Sequence, residues 1–369
     1  MAEPGVPLAG NAENAMALLP TDVAEASIHG PSPATLPEFV DLAMRSHPKL
    51  RQALAQVEAA RGKAVQARLY PNPLAAAGSP QLVAPGSGAA NGGGGASTQY
   101  YSLVSQDVVT AGKLRLAQQA ALREVQRAEY ELIRVRFDVL KEVRQSFYAL
   151  LVSQRRVEIY KLLLDIAKRS YEIGRQLADA GEGTKADVLF WSIESDRAEV
   201  RLLNASVYIE TGRRQLATAI GLPRADIGKL EANLFQKLPQ FDLKNLQEAV
   251  VRANALPRAA EADVARNQWA LERAVVQPIP NVNLMGGYQR EINYPPSNQG
   301  LFQVTVAVPI FDRNQGNIRS ARADIASARA NLRTIELDLA TQAAQAIADR
   351  KSTRLNSSHE WISRMPSSA

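Results

Sequence analysis

The sequence lacks cysteine altogether, and histidine occurs only three times. Without thiols, the chain as given has no disulfide bond, thiolate metal site, cysteine nucleophile or lipid attachment to an N-terminal cysteine. No stretch approaches about eighteen consecutive apolar residues, so no membrane-spanning helix is expected. Aromatic residues make up only 6% of the chain, whereas apolar and charged residues are both plentiful. That composition is typical of long packed helices.

Catalytic motifs are also missing. No GxSxG, phosphate-binding or HExxH pattern occurs, and the acidic pair Glu194 and Asp196 is expected to be solvated on a helix surface rather than to act as an acid–base pair. The histidines have no spacing typical of metal ligands; they are His29, His47 and His359. We therefore expect that the chain is not an enzyme, needs no cofactor and holds no dedicated metal site.

The formal net charge is +6, and basic and acidic residues alternate along the chain instead of clustering. This pattern favours solvated helix faces over a nucleic-acid interface, so no nucleic-acid partner is expected. Residues 1–34 are rich in proline and polar residues and predict a disordered leader without a recognisable signal peptide. After Arg350 the helical pattern gives way to the serine-rich residues 351–369, which resemble translated vector sequence and are interpreted as a non-native tail.

The chain is organised around a helical pattern of about sixty residues, from Lys113 to Ile173, that contains no glycine or proline. A following Gly181-Glu182-Gly183 sequence ends the helix, and Thr184 with Asp187 three residues later has the signature of a new helix start. The spacing therefore predicts a long antiparallel helical hairpin over 113–221. Its apolar stripe recurs every 3.6 residues on average, at Leu114, Ala117, Ala121, Val125, Ala128, Leu132, Val135, Val139, Val143, Phe147 and Leu150.

An arrangement of helix, strand, strand and long helix occurs twice. Pro71-Asn72-Pro73 and Pro278-Ile279-Pro280 end corresponding helices at an offset of 207 residues, and a helix over Leu246–Val276 matches one over Phe39–Leu69 that pauses at His47-Pro48. The predicted parts are a first repeat over 35–223 with strands at 74–83 and 98–109, a connector over 224–243, and a second repeat over 244–350 with strands at 281–289 and 301–311. That second repeat stops before a return helix.

The two predicted strands of the second repeat alternate between apolar and polar residues, and those of the first repeat flank the glycine-rich residues 86–96. Four short strands cannot close a barrel, and an open sheet in lipid would leave backbone groups unpaired. Several copies could close a barrel jointly, with apolar residues towards lipid and Asn, Gln and Thr towards a watery lumen.

In combination, these motifs resemble those of the TolC-like outer-membrane efflux family over about residues 36–350. The resemblance rests on Tyr70-Pro71-Asn72-Pro73, on Gln106–Gly112, on Gly181–Leu189 and on Val308–Asp312, in this order on a duplicated frame. It implies a mostly α fold with a small β part. In that fold a homotrimer forms a twelve-stranded outer-membrane β-barrel that is joined to a long periplasmic α-helical barrel. The Tyr-Pro-Asn-Pro and Gly-Glu-Gly-Thr forms resemble the branch paired with heavy-metal and cation efflux pumps.

The resemblance also implies a function and partners. The chain would be the passive export duct of a tripartite pump, from periplasm to exterior, for heavy-metal cations or drugs. Its partners would be two further copies, a periplasmic adaptor, an inner-membrane pump reached through the adaptor, and outer-membrane lipid. The implied sites are a docking tip at Gly181, Gly183, Thr184, Asp187, Val188 and Leu189, helix-to-strand corners at Pro71, Asn72, Pro73, Pro278 and Pro280, and a lipid-facing strand at Phe302, Val304, Val306, Val308 and Ile310.

Two other classes of protein fit parts of the pattern. A soluble coiled-coil scaffold would account for the helices but not for four extended segments at matched places in two repeats. A periplasmic adaptor also carries a helical hairpin, but the strand-rich domains of that family are not visible here. The tip sequence itself is what any helical hairpin needs for its turn and cap, so the residues alone leave docking open.

Overall fold

A computed structural model describes residues 35–78, 99–234, 243–292 and 295–362. Within these ranges the chain is mostly helical and has one small antiparallel sheet. The elements, in order, are α1 (Leu36–Ser46), α2 (Pro48–Gln66), β1 (Leu74–Gly78), β2 (Gln99–Val108), α3 (Lys113–Asp179), α4 (Lys185–Ala219), α5 (Leu243–Ala253), α6 (Ala255–Val276), β3 (Val282–Glu291), β4 (Ser297–Val306) and α7 (Gln315–Ile362).

Helices α3 and α4 are the predicted long hairpin. Helix α3 has 67 residues, a length of about 100 Å at about 1.5 Å per residue. None of the helices described here is both long enough and apolar enough to cross a membrane. Contacts divide the chain into two units, one made of residues 1–52 and 135–239 and the other of residues 53–134 and 240–369.

The first unit has a continuous apolar core. The predicted stripe of α3 packs there against α1 and α4, and the rings of Phe39 and Phe147 lie 5.8 Å apart between centroids. The connector after α4 also contributes, because Ile227 and Leu230 are buried. The largest fully buried side chains are Phe39, Val139, Val143, Phe147, Leu150, Leu216, Ile220 and Ile227.

The second unit contains the sheet and a smaller helical cluster. Ala60 and Ala64 of α2 pack against Val125 of α3. The sheet has the order β1-β2-β3-β4, and each strand is antiparallel to its neighbour in sequence. Strands of both repeats therefore share one sheet, with β2 beside β3 at the centre and β1 and β4 at the edges.

The strand ends differ from the predicted ones. Strand β4 begins at Ser297 and ends at Val306, whereas the alternation predicted 301–311. Val306 pairs with Val282, the first residue of β3, and Pro280 shortly before it lacks an N–H donor for a further ladder bond. Placing Val308 and Ile310 in the strand was therefore wrong. Residues 79–83 of the first predicted strand lie outside the described residues.

The helix ends also differ in three places. Helix α2 ends at Gln66 instead of continuing to Leu69. The helix expected over 246–276 breaks at Asn254, whose side chain accepts a hydrogen bond from the Leu256 N–H and starts α6. Helix α7 runs twelve residues past Arg350 to Ile362, in a stretch that contains no glycine or proline. The predicted leader over 1–34 lies outside the described residues.

Candidate functional sites

The hairpin tip is a turn that depends on two glycines. Gly181 has φ +81°, in the left-handed region that glycine adopts without strain. The N–H groups of Glu182 and Gly183 both donate to the Leu177 carbonyl, at 2.9 and 3.1 Å, and so satisfy the end of α3. A side chain at Gly183 would meet the backbone N of Ala178 at 3.1 Å. The turn therefore has its predicted position and its predicted residue types.

Thr184 and Asp187 close the start of α4 by bonding to each other. The Thr184 hydroxyl oxygen accepts from the Asp187 N–H at 3.2 Å, and the Asp187 carboxylate accepts from the Thr184 N–H at 3.1 Å and from the Thr184 hydroxyl at 2.7 Å. The hydrogen bond from the hydroxyl, and then that from the backbone, lower the pKa of Asp187. The predicted capping box is confirmed.

Apolar side chains surround this polar cap and remain exposed. Leu189 is 62% exposed and Phe190 56%, while Val188 is half-buried. Trp191 lies against Gly174 of α3, where an added Cβ would come within 2.9 Å of the indole. Phe190 and Trp191 are not among the predicted tip residues, although two adjacent aromatic residues are a signal in a chain with so few. The tip combines a fixed backbone with exposed apolar area, as a docking surface requires.

The two proline corners are held by side chains of β2, of α3 and of the turn between them. The Gln106 amide donates to the Pro71 carbonyl at 2.9 Å, and the Thr110 hydroxyl donates to the Pro280 carbonyl at 2.6 Å. The Lys113 ammonium donates to the Ile279 carbonyl and to the Asn281 side-chain oxygen. The corners therefore lie at the points where helix gives way to strand, as predicted.

Lys113 is the residue at this corner that sequence reasoning missed. It is buried, and burial lowers the pKa of its ammonium. A lysine at the first position of a long helix is normally a solvated charge. Only the pairing of β2 with β3, which brings the second corner to the start of α3, shows which groups its ammonium bonds to.

The sheet has one apolar face that is largely exposed. The register places Val104 opposite Gly286 and Gly286 opposite Phe302, and Leu284 opposite Val304. Phe302 is 78% exposed. The other exposed apolar residues on this face are Tyr100, Val104, Val108, Leu284, Tyr288, Val304 and Val306. Exposed area of this kind on a soluble surface is costly, so this face needs an apolar environment.

The opposite face of the sheet is mostly polar and bonded within itself. The Asn283 amide donates to the Asp107 carboxylate at 2.7 Å across β2 and β3, and the Gln303 amide donates to the Thr305 hydroxyl at 3.2 Å along β4. Ser105 lies on the same face, beside Met285. One face of the sheet is thus suited to lipid and the other to water.

The acidic residues considered in the sequence analysis form ordinary helix-surface contacts. Glu194 pairs with Arg197 at 2.6 Å, one turn away. Among the described residues, no group of three or more His, Asp or Glu side chains is arranged to hold a metal ion.

Comparison with known proteins identifies the class. Residues 39–222, about half of the chain, match the family model described as outer membrane efflux protein. The chain belongs to this family. Its members are efflux channels and not enzymes, which confirms the prediction that the chain is not an enzyme.

Two curated relatives are heavy-metal resistance proteins. The chain is 28% identical over 291 residues to the cobalt-zinc-cadmium resistance protein CzcC of Cupriavidus metallidurans, an alignment that covers 78% of this chain and 66% of CzcC. It is 23% identical over 301 residues to the nickel-cobalt-cadmium resistance protein NccC of Alcaligenes xylosoxydans xylosoxydans, covering 79% of this chain and 64% of NccC. The chain thus spans slightly less than two thirds of the length of these relatives.

The fold also matches a solved channel structure. A structure of CusC, studied for folding and transmembrane channel formation, superposes with a TM-score of 0.72 at 15% identity, over 89% of this chain and 79% of CusC. The predicted fold class, mostly helical with a small antiparallel sheet, is therefore confirmed.

Proposed function

We propose that the chain is the outer-membrane channel subunit of a tripartite efflux system and acts as a passive duct from periplasm to exterior. The observation that carries this proposal is the sheet, which has one exposed apolar face and one hydrogen-bonded polar face. Strands β2, β3 and β4 have ten residues each, and a tilted strand needs about 9–11 residues to cross a bilayer. Family membership supports the outer membrane as the location.

The channel would be a homotrimer. The sheet has four strands, and its edges, β1 and β4, each have only one partner strand within the described residues. Because β1 and β4 run in opposite directions, β4 of one copy can pair with β1 of the next in an antiparallel ladder. Three copies would supply twelve strands and leave no open edge. Phe302, Val304 and Val306 would then face lipid.

Val308 and Ile310 lie beyond β4 but are highly exposed, at 74% and 63%. In the trimer they would contact the lipid boundary or the neighbouring copy, past the last hydrogen bond between β3 and β4.

The long helices α3 and α4 would line the periplasmic tunnel, because a hairpin of this length needs partners of similar length.

The hairpin tip would dock a periplasmic adaptor, which connects the duct to an inner-membrane pump. Gly181, Gly183, Thr184 and Asp187 fix the backbone of the turn, and Leu189 with its aromatic neighbours offers exposed apolar area. Leu189→Asp is expected to weaken binding to a purified periplasmic adaptor of a heavy-metal pump at least tenfold, since it would bury an unpaired charge. Leu203→Asp, on the same helix but about four turns away, should leave adaptor binding unchanged.

Heavy-metal cations are the proposed cargo, because CzcC and NccC are named for resistance to cobalt, zinc, cadmium and nickel. Drugs are the second class of cargo that the same duct could carry. A wide, watery lumen needs no specific ligand contacts, so the pump partner would set the selectivity. Growth in cobalt, zinc or cadmium of cells that lack their own channel tests this cargo, with a drug panel as the comparison.

The alternative function is a soluble coiled-coil scaffold. The exposed apolar face of the sheet disfavours it, because a scaffold in water would gain nothing from eight exposed apolar side chains on one face of a sheet.

Disulfide trapping in the full chain separates the two functions, since the chain has no cysteine of its own. Ala76→Cys on β1 would be combined in turn with Gln299→Cys, Leu301→Cys, Gln303→Cys and Thr305→Cys on the same face of β4. Within one sheet the backbones of β1 and β4 are about 14 Å apart. A disulfide needs its two Cα atoms within about 7 Å of each other. Any bond must therefore join two copies.

A closed trimer predicts covalent dimers and trimers at one of these registers in lipid vesicles, together with trimers that resist detergent until heated. Ala76→Cys with Val304→Cys, whose side chains lie on opposite faces, is the control and should cross-link far less. A monomer that stays in solution without lipid, with no cross-link at any register, would overturn the channel in favour of the scaffold.

A further inference from the structure

His47 lies at the break between α1 and α2, where its hydrogen bonds end the first helix and cap the second. Its N–H donates to the Ala43 carbonyl at 3.0 Å and ends α1. Its imidazole Nδ1 accepts the Lys49 N–H at 3.1 Å, and its carbonyl accepts the Leu50 N–H at 3.1 Å. A side-chain acceptor for the second N–H of a helix is an N-cap, and here the ring takes the role that Ser, Thr, Asp or Asn usually has.

His47 is buried, and the end of α4 packs against its backbone. His47 is only 5% exposed, and the adjoining Ser46 hydroxyl donates to the Ile220 carbonyl at 2.9 Å. Gly221, with φ +81°, packs so closely that an added Cβ would lie 2.9 Å from the His47 Cα. Burial lowers the pKa of His47 and the Lys49 cation lowers it further, while Glu142 raises it.

Charged groups reach this junction from three helices. On α2 these are Lys49 and Arg51, whose guanidinium approaches the Ser46 carbonyl at 3.5 Å. On α1, Arg45 is paired with Asp41 at 2.9 Å. On α3, Glu142 is paired with Lys49 at 2.9 Å. The end of α4 contributes the backbone of residues 220–221. Glu142, the carboxylate whose charge acts on the ring, is therefore already paired with Lys49, and a charged imidazole would be repelled by that cation.

The second repeat has the same junction with a group that does not titrate. Asn254 lies 207 residues after His47, the offset of the duplication. It separates α5 from α6 as His47 separates α1 from α2, and its side-chain oxygen accepts the Leu256 N–H at 2.9 Å. The two repeats thus use one N-cap geometry, with an imidazole in the first and an amide in the second.

We propose that His47 is a proton-responsive cap, which makes the α1–α2 junction of the first repeat sensitive to acid while the α5–α6 junction of the second is not. Protonation at Nδ1 turns the acceptor into a donor, so the bond from the Lys49 N–H breaks. It also places a positive charge at the N-terminus of α2, where the helix dipole is unfavourable to cations.

The direction of the pH dependence follows from linkage. Since the folded chain favours the neutral ring, the unfolded chain binds the proton first as the pH falls below about 6.5. The stability that the cap contributes is therefore complete above about pH 6.5 and declines as the pH falls towards the lower pKa of the folded ring. In an outer-membrane channel this would loosen the anchoring of α1 when the compartment acidifies.

The test compares the full chain in detergent micelles with His47→Asn, which puts the second repeat's residue into the first. Hydrogen–deuterium exchange of the Lys49 amide is measured at pH 7.5 and 5.5, in a peptide that begins upstream of residue 47 and so retains this amide. The ratio of wild type to variant at each pH cancels the intrinsic pH dependence. We expect a ratio near one at pH 7.5 and about five at pH 5.5, the size of a lost cap. The reverse variant, Asn254→His, should give acid sensitivity to the Leu256 amide, read from a peptide that begins upstream of residue 254.

Equal ratios at the two pH values would overturn the proposal. A second measurement on wild type does not depend on the folding of any variant, because the chain has only three histidines and ¹³C-labelled imidazoles can be titrated by NMR. An imidazole of His47 that takes up its proton at or above about pH 6.5 would also overturn it.

Discussion

Phe147 and Phe302 show how differently the two units use the same side chain. Phe147 is fully buried in the helical core of the first unit, whereas Phe302 is 78% exposed on the sheet of the second. Phe147 contacts the ring of Phe39 at 5.8 Å between centroids. Phe302 lies opposite Gly286, which offers it no side chain.

The difference shows which part of the chain is stabilised by contacts within a single copy. The helical core gains its stability from contacts within one chain. The apolar face of the sheet has no cover among the described residues, and in the proposed channel lipid would cover it. Changes in the core should therefore affect unfolding in any medium, and changes on the sheet should affect insertion into a membrane.

The largest effect is expected for Phe147→Ala. Removing a buried ring loses its transfer free energy and leaves a cavity, so the free energy of unfolding should fall by about 3–5 kcal/mol. Denaturant unfolding of the helices, followed by circular dichroism of the full chain in detergent, measures it. Phe302→Ala is the matched control and should change this value by less than about 0.5 kcal/mol. Similar losses for both variants would contradict the contrast between core and sheet.

A charge on the apolar face of the sheet should destabilise the protein in lipid, although truncation at the same position hardly affects unfolding in detergent. Phe302→Arg puts a cation on the apolar face and should cost about 2–4 kcal/mol of folding into lipid vesicles near the bilayer centre. Gln303→Arg, the adjacent residue on the polar face, should cost less than about 1 kcal/mol if that face meets water. Urea titration of vesicle-inserted protein gives both values. Equal costs would mean that the two faces have the same surroundings.

Lys113→Met tests the junction between helix and sheet. The ammonium satisfies the Ile279 carbonyl and the Asn281 side chain, and losing hydrogen bonds from a charged donor costs about 1.5–3 kcal/mol. Hydrogen exchange at the β2–β3 ladder next to this corner should become faster. Lys141→Met, an exposed lysine on the same helix, should leave the ladder unchanged. An unchanged ladder in Lys113→Met would show that the corner is held by Thr110 alone.

The sequence predicts the features whose causes are local. The bounds of α3, the turn at Gly181 and the cap at Thr184 follow from residue types within a few positions of each other. The strands also follow from local patterns, since β3 and β4 alternate between apolar and polar residues and β1 and β2 flank a glycine-rich run. Alternation does not say where a partner strand ends, so Val308 and Ile310 were placed in β4 although the strand ends at Val306.

Features that depend on distant partners were not predicted. Ile227 and Leu230 lie in an irregular connector without a period, so nothing in the sequence marks them as core. Lys113 is buried and bonded to Asn281 only because β2 pairs with β3, which brings Asn281 to the start of α3. The break at Asn254 could have been predicted, because Asn254 lies 207 residues after His47, which is the offset between the two repeats.

The smallest effect is expected at the hairpin tip, which has no apolar core and depends on local hydrogen bonds. Thr184→Ala removes the cap hydroxyl and should destabilise the turn locally by about 1 kcal/mol, with no change in the unfolding of the core. The same hydroxyl holds the pKa of Asp187 below its usual range, so the wild-type tip should lose stability as the pH falls below about 4. Thr184→Ala should weaken this acid dependence, and Thr218→Ala, whose hydroxyl bonds within α4, should not. Hydrogen exchange of the Asp187 amide against pH measures all three proteins, and an acid dependence that persists in Thr184→Ala would assign it to another group.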